Sequence, residues 1–325
     1  MRNNLFFNHC HTPQSIEYVT RHGSAEKWEG VNHFASPVKI LQGLKPGQNA
    51  IITVTDHYQT AGKQYYRELV QKVEEKGGEG RLKEKSLELE LEDSWVKVMN
   101  GVEACYREEN NHIILGGLPI EDENKYMFEE KEEFGKAVEK AEYAHPAHPF
   151  FGDFGIERET LDEICEIIQN SSTNFFIPYT TAYGPKFDKK ARGTEDSERD
   201  IYDLNEEFSA PFIVEQDHHI HLPSGMNGVG LIEDSALEKE VPVSEIEEMN
   251  IIEPRKSDSL RDLWRIGRTY ADLLPGYSTR KWFWRIINTP YSREDYREWR
   301  NFYYRKELGD LNMEELRNRS RSLNP

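Results

Sequence analysis

The sequence predicts an α/β protein built on parallel strands, and three observations carry that expectation. Short runs rich in Ile and Val recur along the chain. Stretches with helical apolar spacing separate them, and strands alternating with helices build parallel sheets. Each β-branched run also meets a polar cluster, most often one holding histidine. In such sheets, open or closed, functional groups belong at the carboxyl ends of the strands.

The strands come first. Ala50 to Thr55 leads into Asp56-His57, and Val96 to Val102 leads into Glu103. His112 to Gly116 is a strand carrying a histidine at its start, and Phe212 to Gln216 leads into Asp217-His218-His219. Runs this short and this apolar suit buried strands. Helices fall between them. Ser36-Pro37 ahead of Val38, Ile40, Leu41 and Leu44 joins an N-cap residue to a first-turn proline. The stretch from Tyr65 to Glu75 has the same spacing, and Thr160-Leu161-Asp162-Glu163 reads as a capping box ahead of Ile164, Ile167 and Ile168. Glu121 to Lys140, dense in Glu and Lys, reads as a solvated helix or loop, and Gly184 to Asp203 as a long insertion.

Composition narrows the class. With 325 residues and 37% hydrophobic content the chain can bury one large core, with or without an appendage. No apolar run reaches the length of a membrane span, and no signal-peptide core fits after Met1-Arg2-Asn3-Asn4. Cys10, Cys105 and Cys165 are too few and scattered for a disulfide framework, so a reducing, cytoplasmic setting is expected. The net charge of −18 is uneven: residues 254–325 hold 16 Lys or Arg against 10 Asp or Glu, and the residues before them 25 against 49. Four of the six tryptophans, Trp264, Trp282, Trp284 and Trp299, lie in that basic end. The shift divides the chain into a domain over 1–240 and a basic, Trp-rich helical extension over 241–325.

Nine of the eleven histidines fall in five short clusters. These are His9-Cys10-His11, where alternation on an extended strand points both rings to one side; Asp56-His57; Glu103 with His112; His145-Pro146-Ala147-His148; and Asp217-His218-His219-Ile220-His221. Imidazole and carboxylate donors together suit Zn, Mn or Fe better than Ca or Mg. So many donors exceed what one ion can use, which implies two or three divalent metal ions.

These residues carry a resemblance. His9-x-His11-Thr12, Thr55-Asp56-His57, Gly101-Val102-Glu103, His112, Ala147-His148-Pro149 and Asp217-x-His219 together resemble the polymerase and histidinol phosphatase (PHP) family over residues 5–235. The resemblance implies a distorted (β/α)7 barrel binding two or three metals, here with the C-terminal helical extension, and phosphoesterase activity. It implies ligand roles for His9, His11, His57, Glu103, His112, His148, Asp217 and His219, with Glu103 bridging. His145 sits in a second Ala-His-Pro tripeptide and competes with His148. Where the family has a further ligand after the second histidine, the candidates are Ser15 or Glu17, of which Glu17 could substitute, and Phe7 stands where the family usually has Asp. Asp56 and His218 are expected to support the ligands from behind.

The expected reaction is hydrolysis of a phosphate ester by a metal-activated hydroxide, with His219 or His221 protonating the leaving oxygen. Arg21, Lys63, Lys186 and Arg192 are the candidate cations for the substrate phosphate. The acidic body favours a small phosphorylated substrate, while the aromatic, basic tail offers nucleic acid a stacking surface. No membrane partner is expected. The rival readings are an amidohydrolase acting on C–N bonds and a metal-stabilised scaffold whose tail docks a partner.

Overall fold

The structure, a computed structural model, describes residues 3–12, 37, 41, 44, 47–120, 125–151, 155–180, 192–193, 199–216 and 229–252. The chain divides into two compact units, Met1–Thr12 with Phe34–Arg255, and Pro13–His33 with Lys256–Pro325. The second unit lies outside the described residues. The first is mixed α/β, with a curled sheet compatible with a barrel-like fold. No described helix is long and apolar enough to cross a membrane.

The sheet begins with β1 (Asn3–Cys10) and β2 (Asn49–Val54), which run parallel. A hairpin of β3 (Glu79–Leu82) and β4 (Ser86–Leu91) follows, then the long β5 (Ser94–Tyr106) and β6 (Glu108–Gly116). The first half of β5 lies between β2, parallel, and β4, antiparallel, and its second half pairs with β6. Short β7 (Met127–Phe128) also pairs with β5, and β8 (Tyr143–Pro146) continues the sheet beyond β6 to β9 (Asn174–Phe175). A separate parallel pair is formed by β10 (Ile177–Thr180) and β11 (Phe212–Glu215). On the far side of β1, β12 (Val229–Glu233) and β13 (Asn250–Ile252) add antiparallel strands. The side chain of Gln216 joins β11 to β1: Asn8 N–H donates to its Oε1 (2.9 Å) and its Nε2 donates to Phe6 O (3.1 Å).

The expected parallel sheet therefore holds for β1-β2-β5, β8-β9 and β10-β11 but not throughout. β6 runs antiparallel to both β5 and β8, because a tight connection through Arg107 (φ 60°) folds it straight back on β5. The reversal matters for the site. The start of β6 lies at the end where the parallel strands finish, and His112, its middle residue, pairs with Cys105 near the end of β5.

Helices cover the outer face. In α1 (Gly62–Glu74), Tyr65, Tyr66, Leu69 and Val73 form the buried stripe. Helix α2 (Lys131–Val138) buries Phe134, Ala137 and Val138, and Tyr126 is also buried, so the Glu- and Lys-rich stretch expected to be solvated contributes to the core. Helix α3 (Arg158–Gln169) starts before Thr160, with Glu157 as N-cap and no side-chain cap. The capping box expected at Thr160 is not used, because Leu161 already belongs to the buried stripe and the helix must begin ahead of it. Helix α4 (Ile201–Phe208) has a true capping box between Asp200 and Asp203. A short α5 (Val243–Glu247) precedes β13. Of the helix expected after Ser36, Pro37 and Leu41 are helical, Leu44 lies in a bend, and Val38 and Ile40 lie outside the described residues.

Strand alternation separates two cores. Val102, Ala104, Ile113, Leu115 and Ala144 pack outward against α2, α3 and α4, while Phe6, Met99, Ile114, Tyr143 and Ile213 share the inner cluster. Each fully buried Val, Leu, Ile, Met or Phe side chain among them contributes about 1.5–3 kcal/mol. Gly116 is required by close approach: a Cβ there would lie 2.1 Å from Cζ of Tyr143. Gly116→Ala is expected to destabilise the fold by about 1–3 kcal/mol through overpacking, read as a lower urea midpoint with an unchanged m-value.

Candidate metal centre

Above the apolar inner cluster lies a hydrogen-bonded polar layer. Thr53 Oγ1 and the Tyr143 hydroxyl are 2.7 Å apart, Tyr143 donates to Asn8 Oδ1 (2.8 Å), and Asn8 Nδ2 donates to His145 Nε2 (2.7 Å). His145 Nδ1 in turn donates to Pro146 O (2.9 Å). An amide donor on one ring nitrogen and a carbonyl acceptor on the other define a neutral tautomer. Burial pushes the His145 pKa down to about 4, which agrees.

One step further along the strands the histidines converge on Glu103. Its carboxylate is fully buried on β5, facing the same way as Met99 and Gly101. Glu103 Oε2 is 2.9 Å from His57 Nδ1, 3.3 Å from His9 Nε2 and 3.4 Å from His11 Nε2. Glu103 Oε1 is 2.7 Å from His112 Nδ1 and 3.3 Å from His148 Nε2. Burial alone would raise the Glu103 pKa, but His112, His57 and His9 outweigh it and hold the group well below the usual carboxylate range. For His112 burial wins over Glu103 and lowers the pKa, favouring the neutral ring that ligates metals.

The backbone explains how these side chains meet. β1 does not stay regular through His9-Cys10-His11: its register with β2 shifts between Phe7 and Cys10, and His9 is left-handed (φ 53°). The two rings meet, with Nε2 atoms 3.1 Å apart, through this bulge rather than through the plain alternation expected. His57 is placed by a parallel bridge to Glu103, with Tyr58 N–H donating to Glu103 O (2.9 Å) and Glu103 N–H to Asp56 O (3.1 Å). Asp56 accepts from both Thr12 N–H and Thr12 Oγ1, each at 2.6 Å, tying the end of β1 to the end of β2. His148 follows β8 in another left-handed conformation (φ 32°). Non-glycine residues held at positive φ each cost on the order of 1–3 kcal/mol, and they cluster at functional sites.

The donor set suits a divalent cation. Three groups of buried ligand atoms lie within 4.8 Å of one another: His9, His11 and Glu103; His57, Glu103 and His112; and His9, His148 and Glu215. The protonation pattern gives an independent reason. His9 Nδ1 is 2.9 Å from the Glu215 carboxylate and donates to it. In a neutral His9 the Nε2 lone pair then faces Glu103 Oε2 across 3.3 Å. Two acceptors at that distance suit a cation beside them or a proton donated by His11 Nε2, which lies 3.1 Å from His9 Nε2 and 3.4 Å from Glu103 Oε2.

Of the residues expected at the site, the structure brings together His9, His11, His57, Glu103, His112 and His148. It does not bring His145, whose nitrogens are engaged one layer back. Asp56 holds Thr12. Lys63 lies half-buried in the first turn of α1, and Arg192 packs over the Tyr179 ring, 4.7 Å from its centroid, and donates to its hydroxyl. Glu17, Arg21, Lys186, Asp217, His218, His219 and His221 lie outside the described residues.

Two residues were missed. Tyr58, also left-handed (φ 62°), brings its hydroxyl to 3.4 Å from His112 Nε2. Glu215 ends the Phe-Ile-Val-Glu strand fully buried and accepts from His9, from Thr180 Oγ1 (2.7 Å) and from His148 N–H (2.9 Å to each oxygen). Burial would raise its pKa, but the hydrogen bond from His9 and the charge of His148 lower it overall. The available signal was a carboxylate at the last place of an otherwise apolar strand, which is tolerated only with partners.

No family model matches this chain, and no curated protein matches it. Among solved structures it is similar to the lesion-specific endonuclease PfuEndoQ from Pyrococcus furiosus, with 11% sequence identity and a TM-score of 0.42. The match covers 77% of this chain and 57% of that one.

Proposed function

We propose that this chain is a metal-dependent phosphoesterase of the PHP type, a distorted (β/α)7 barrel with a C-terminal extension. The observation that carries the reading is the position of Glu103, one buried carboxylate common to two histidine groups. That arrangement suits a bridging ligand between two ions. His9 and His11 would hold one with Glu103, and His57 and His112 the other, with His148 beside Oε1. Asp217 and His219 complete the set in this reading, and Glu17 is the candidate for a third ion. Zn, Mn or Fe fits the donors. A bound divalent pair supplies a hydroxide nucleophile near neutral pH and neutralises phosphoryl charge.

The protein's own groups supply the rest. His221, or His219 where it is not engaged as a ligand, delivers the proton to the leaving oxygen. Lys63, Arg192, Arg21 and Lys186 are the candidate clamps on the phosphate. The acidic body favours a small phosphomonoester, and the Trp-rich basic tail would admit a nucleic-acid end.

Metal content, measured with hydrolysis of p-nitrophenyl phosphate, its bis-ester and a short oligonucleotide with and without Mn²⁺, tests the proposal. The expected result is at least two ions per chain and Mn²⁺-dependent phosphate release, reduced at least about 100-fold in His57→Ala. The preferred ester then names the substrate type. Bound metal with turnover only of an amide substrate would move the chain to C–N hydrolysis, and a chain that binds no metal would end the proposal.

A further inference from the structure

We infer that Glu215 is a positioning residue for His9 and not a metal ligand: it fixes the ring proton of His9 on Nδ1 and turns the Nε2 lone pair toward Glu103 and His11. The inference rests on the metal-centre reading above and deepens it, because it decides which of the three histidine groups can hold an ion.

By proximity alone, His9, His148 and Glu215 look like a third metal group. The hydrogen bonds argue otherwise. Glu215 Oε1 accepts from His9 Nδ1 and from His148 N–H, each at 2.9 Å. Glu215 Oε2 accepts from Thr180 Oγ1 at 2.7 Å and from the same His148 N–H at 2.9 Å. Three donors, one of them shared between the two oxygens, thus engage the carboxylate on both sides. The His148 contribution is a backbone N–H, which cannot give way by rotating a side chain. An ion here would have to displace bonds from β1, from the turn after β8 and from β10.

The same contacts give Glu215 a task. A carboxylate only accepts, so His9 must carry its proton on Nδ1, and a neutral ring then presents Nε2 as a lone pair. That nitrogen is 3.1 Å from His11 Nε2 and 3.3 Å from Glu103 Oε2, the place where a shared ligand is needed. His9 and His148 are both left-handed, and Glu215 bonds the ring of one and the backbone of the other. Its contacts offset the strain of both. Only the two groups that contain Glu103 remain as ion sites among the described residues.

The test uses the full chain. Long-range ¹H–¹⁵N spectra of the histidine rings, recorded without metal, should show His9 as a single Nδ1–H tautomer, identified by its loss in His9→Asn. Glu215→Gln keeps a carbonyl acceptor and should keep that tautomer; Glu215→Ala should shift His9 toward Nε2–H. In titrations with Mn²⁺ or Zn²⁺, both variants should bind as many ions as wild type, with affinity about 10- to 100-fold weaker in Glu215→Ala. A wild-type His9 protonated on Nε2, or a tautomer unchanged in Glu215→Ala, would overturn the inference. So would the loss of one whole ion in Glu215→Gln. A wild-type chain that binds no metal ends the phosphoesterase reading instead, and the metal-free ring spectrum still decides Glu215.

Discussion

Glu103→Gln is expected to remove both ions of the bridged pair, whereas His57→Ala or His112→Ala removes one. The asymmetry follows from geometry. His57 and His112 belong to a single group with Glu103, and His9 and His11 to the other. Glu103 alone is common to both, with Oε2 facing His9, His11 and His57 and Oε1 facing His112 and His148. Glutamine has nearly the same shape but no charge and only one acceptor oxygen. It therefore cannot bridge two cations through two oxygens, and it leaves five imidazoles around an amide. Phosphoester turnover should fall on the order of 100- to 1,000-fold or more, since the change removes charge placed where transition-state charge develops. Metal counted per chain by mass spectrometry or plasma emission, for the wild type and the three variants, gives the measurement. Glu103→Gln losing no more metal than His57→Ala would mean that Glu103 serves one ion and that the bridge does not exist.

The histidine pattern made most of this cluster legible, and the reason is physical. Side chains that converge on one buried carboxylate must arrive from several strands, so each β-branched run ends or starts with one, and the runs can be read from composition. β2, β5, β6 and β11 all fall on the expected stretches. The reversal of β6 was not legible, because it depends on one left-handed residue, Arg107, whose type gives no such signal. The bulge at His9 was hidden for a similar reason: alternation predicts a regular strand, and the register shift exists only through pairing with β2. His145 and His148 share a tripeptide, and only packing separates them. Tyr143 and His145 point into the polar layer of the interior, while His148 falls beyond the strand end. Glu215 was hidden in a four-residue strand, since its partners come from β1, β10 and the turn after β8. Asp217, His219 and the basic tail lie outside the described residues, and their roles are carried by the sequence alone.

Lys97, which no sequence pattern singled out, should add stability as pH rises from about 8 toward 10.5. It is fully buried near the start of β5, at the end of the sheet away from Glu103. Its Nζ donates to Ala236 O and Leu237 O, each at 3.2 Å, and to Lys239 O, with Glu88 Oε1 at 3.9 Å. It thereby fastens the turn after β12 to the central strand. Burial pulls its pKa from 10.5 to about 8, with Glu88 opposing. In the unfolded chain the amine keeps its ordinary value, so between these limits the unfolded state binds the extra proton. The Lys97 contribution to native-state stability must then rise with pH through that window. Below pH 8 the full cost of burying the ammonium is present, a difference of about 3 kcal/mol for a displacement of this size. Lys97→Met cannot titrate there, and at pH 7 its loss of the donor to three carbonyls is opposed by relief of the buried charge. Wild type should then gain about 3 kcal/mol on the variant as pH approaches 10.5. Urea unfolding of both proteins at pH 7, 8.5 and 10 gives that difference directly, because every other titrating group is common to the two and cancels. Parallel stability curves would show that Lys97 keeps its ordinary pKa and that its carbonyl partners fully offset the cost of burial. Such a gain would show that the fold tolerates a costly buried charge at neutral pH in order to hold the 234–239 turn on β5.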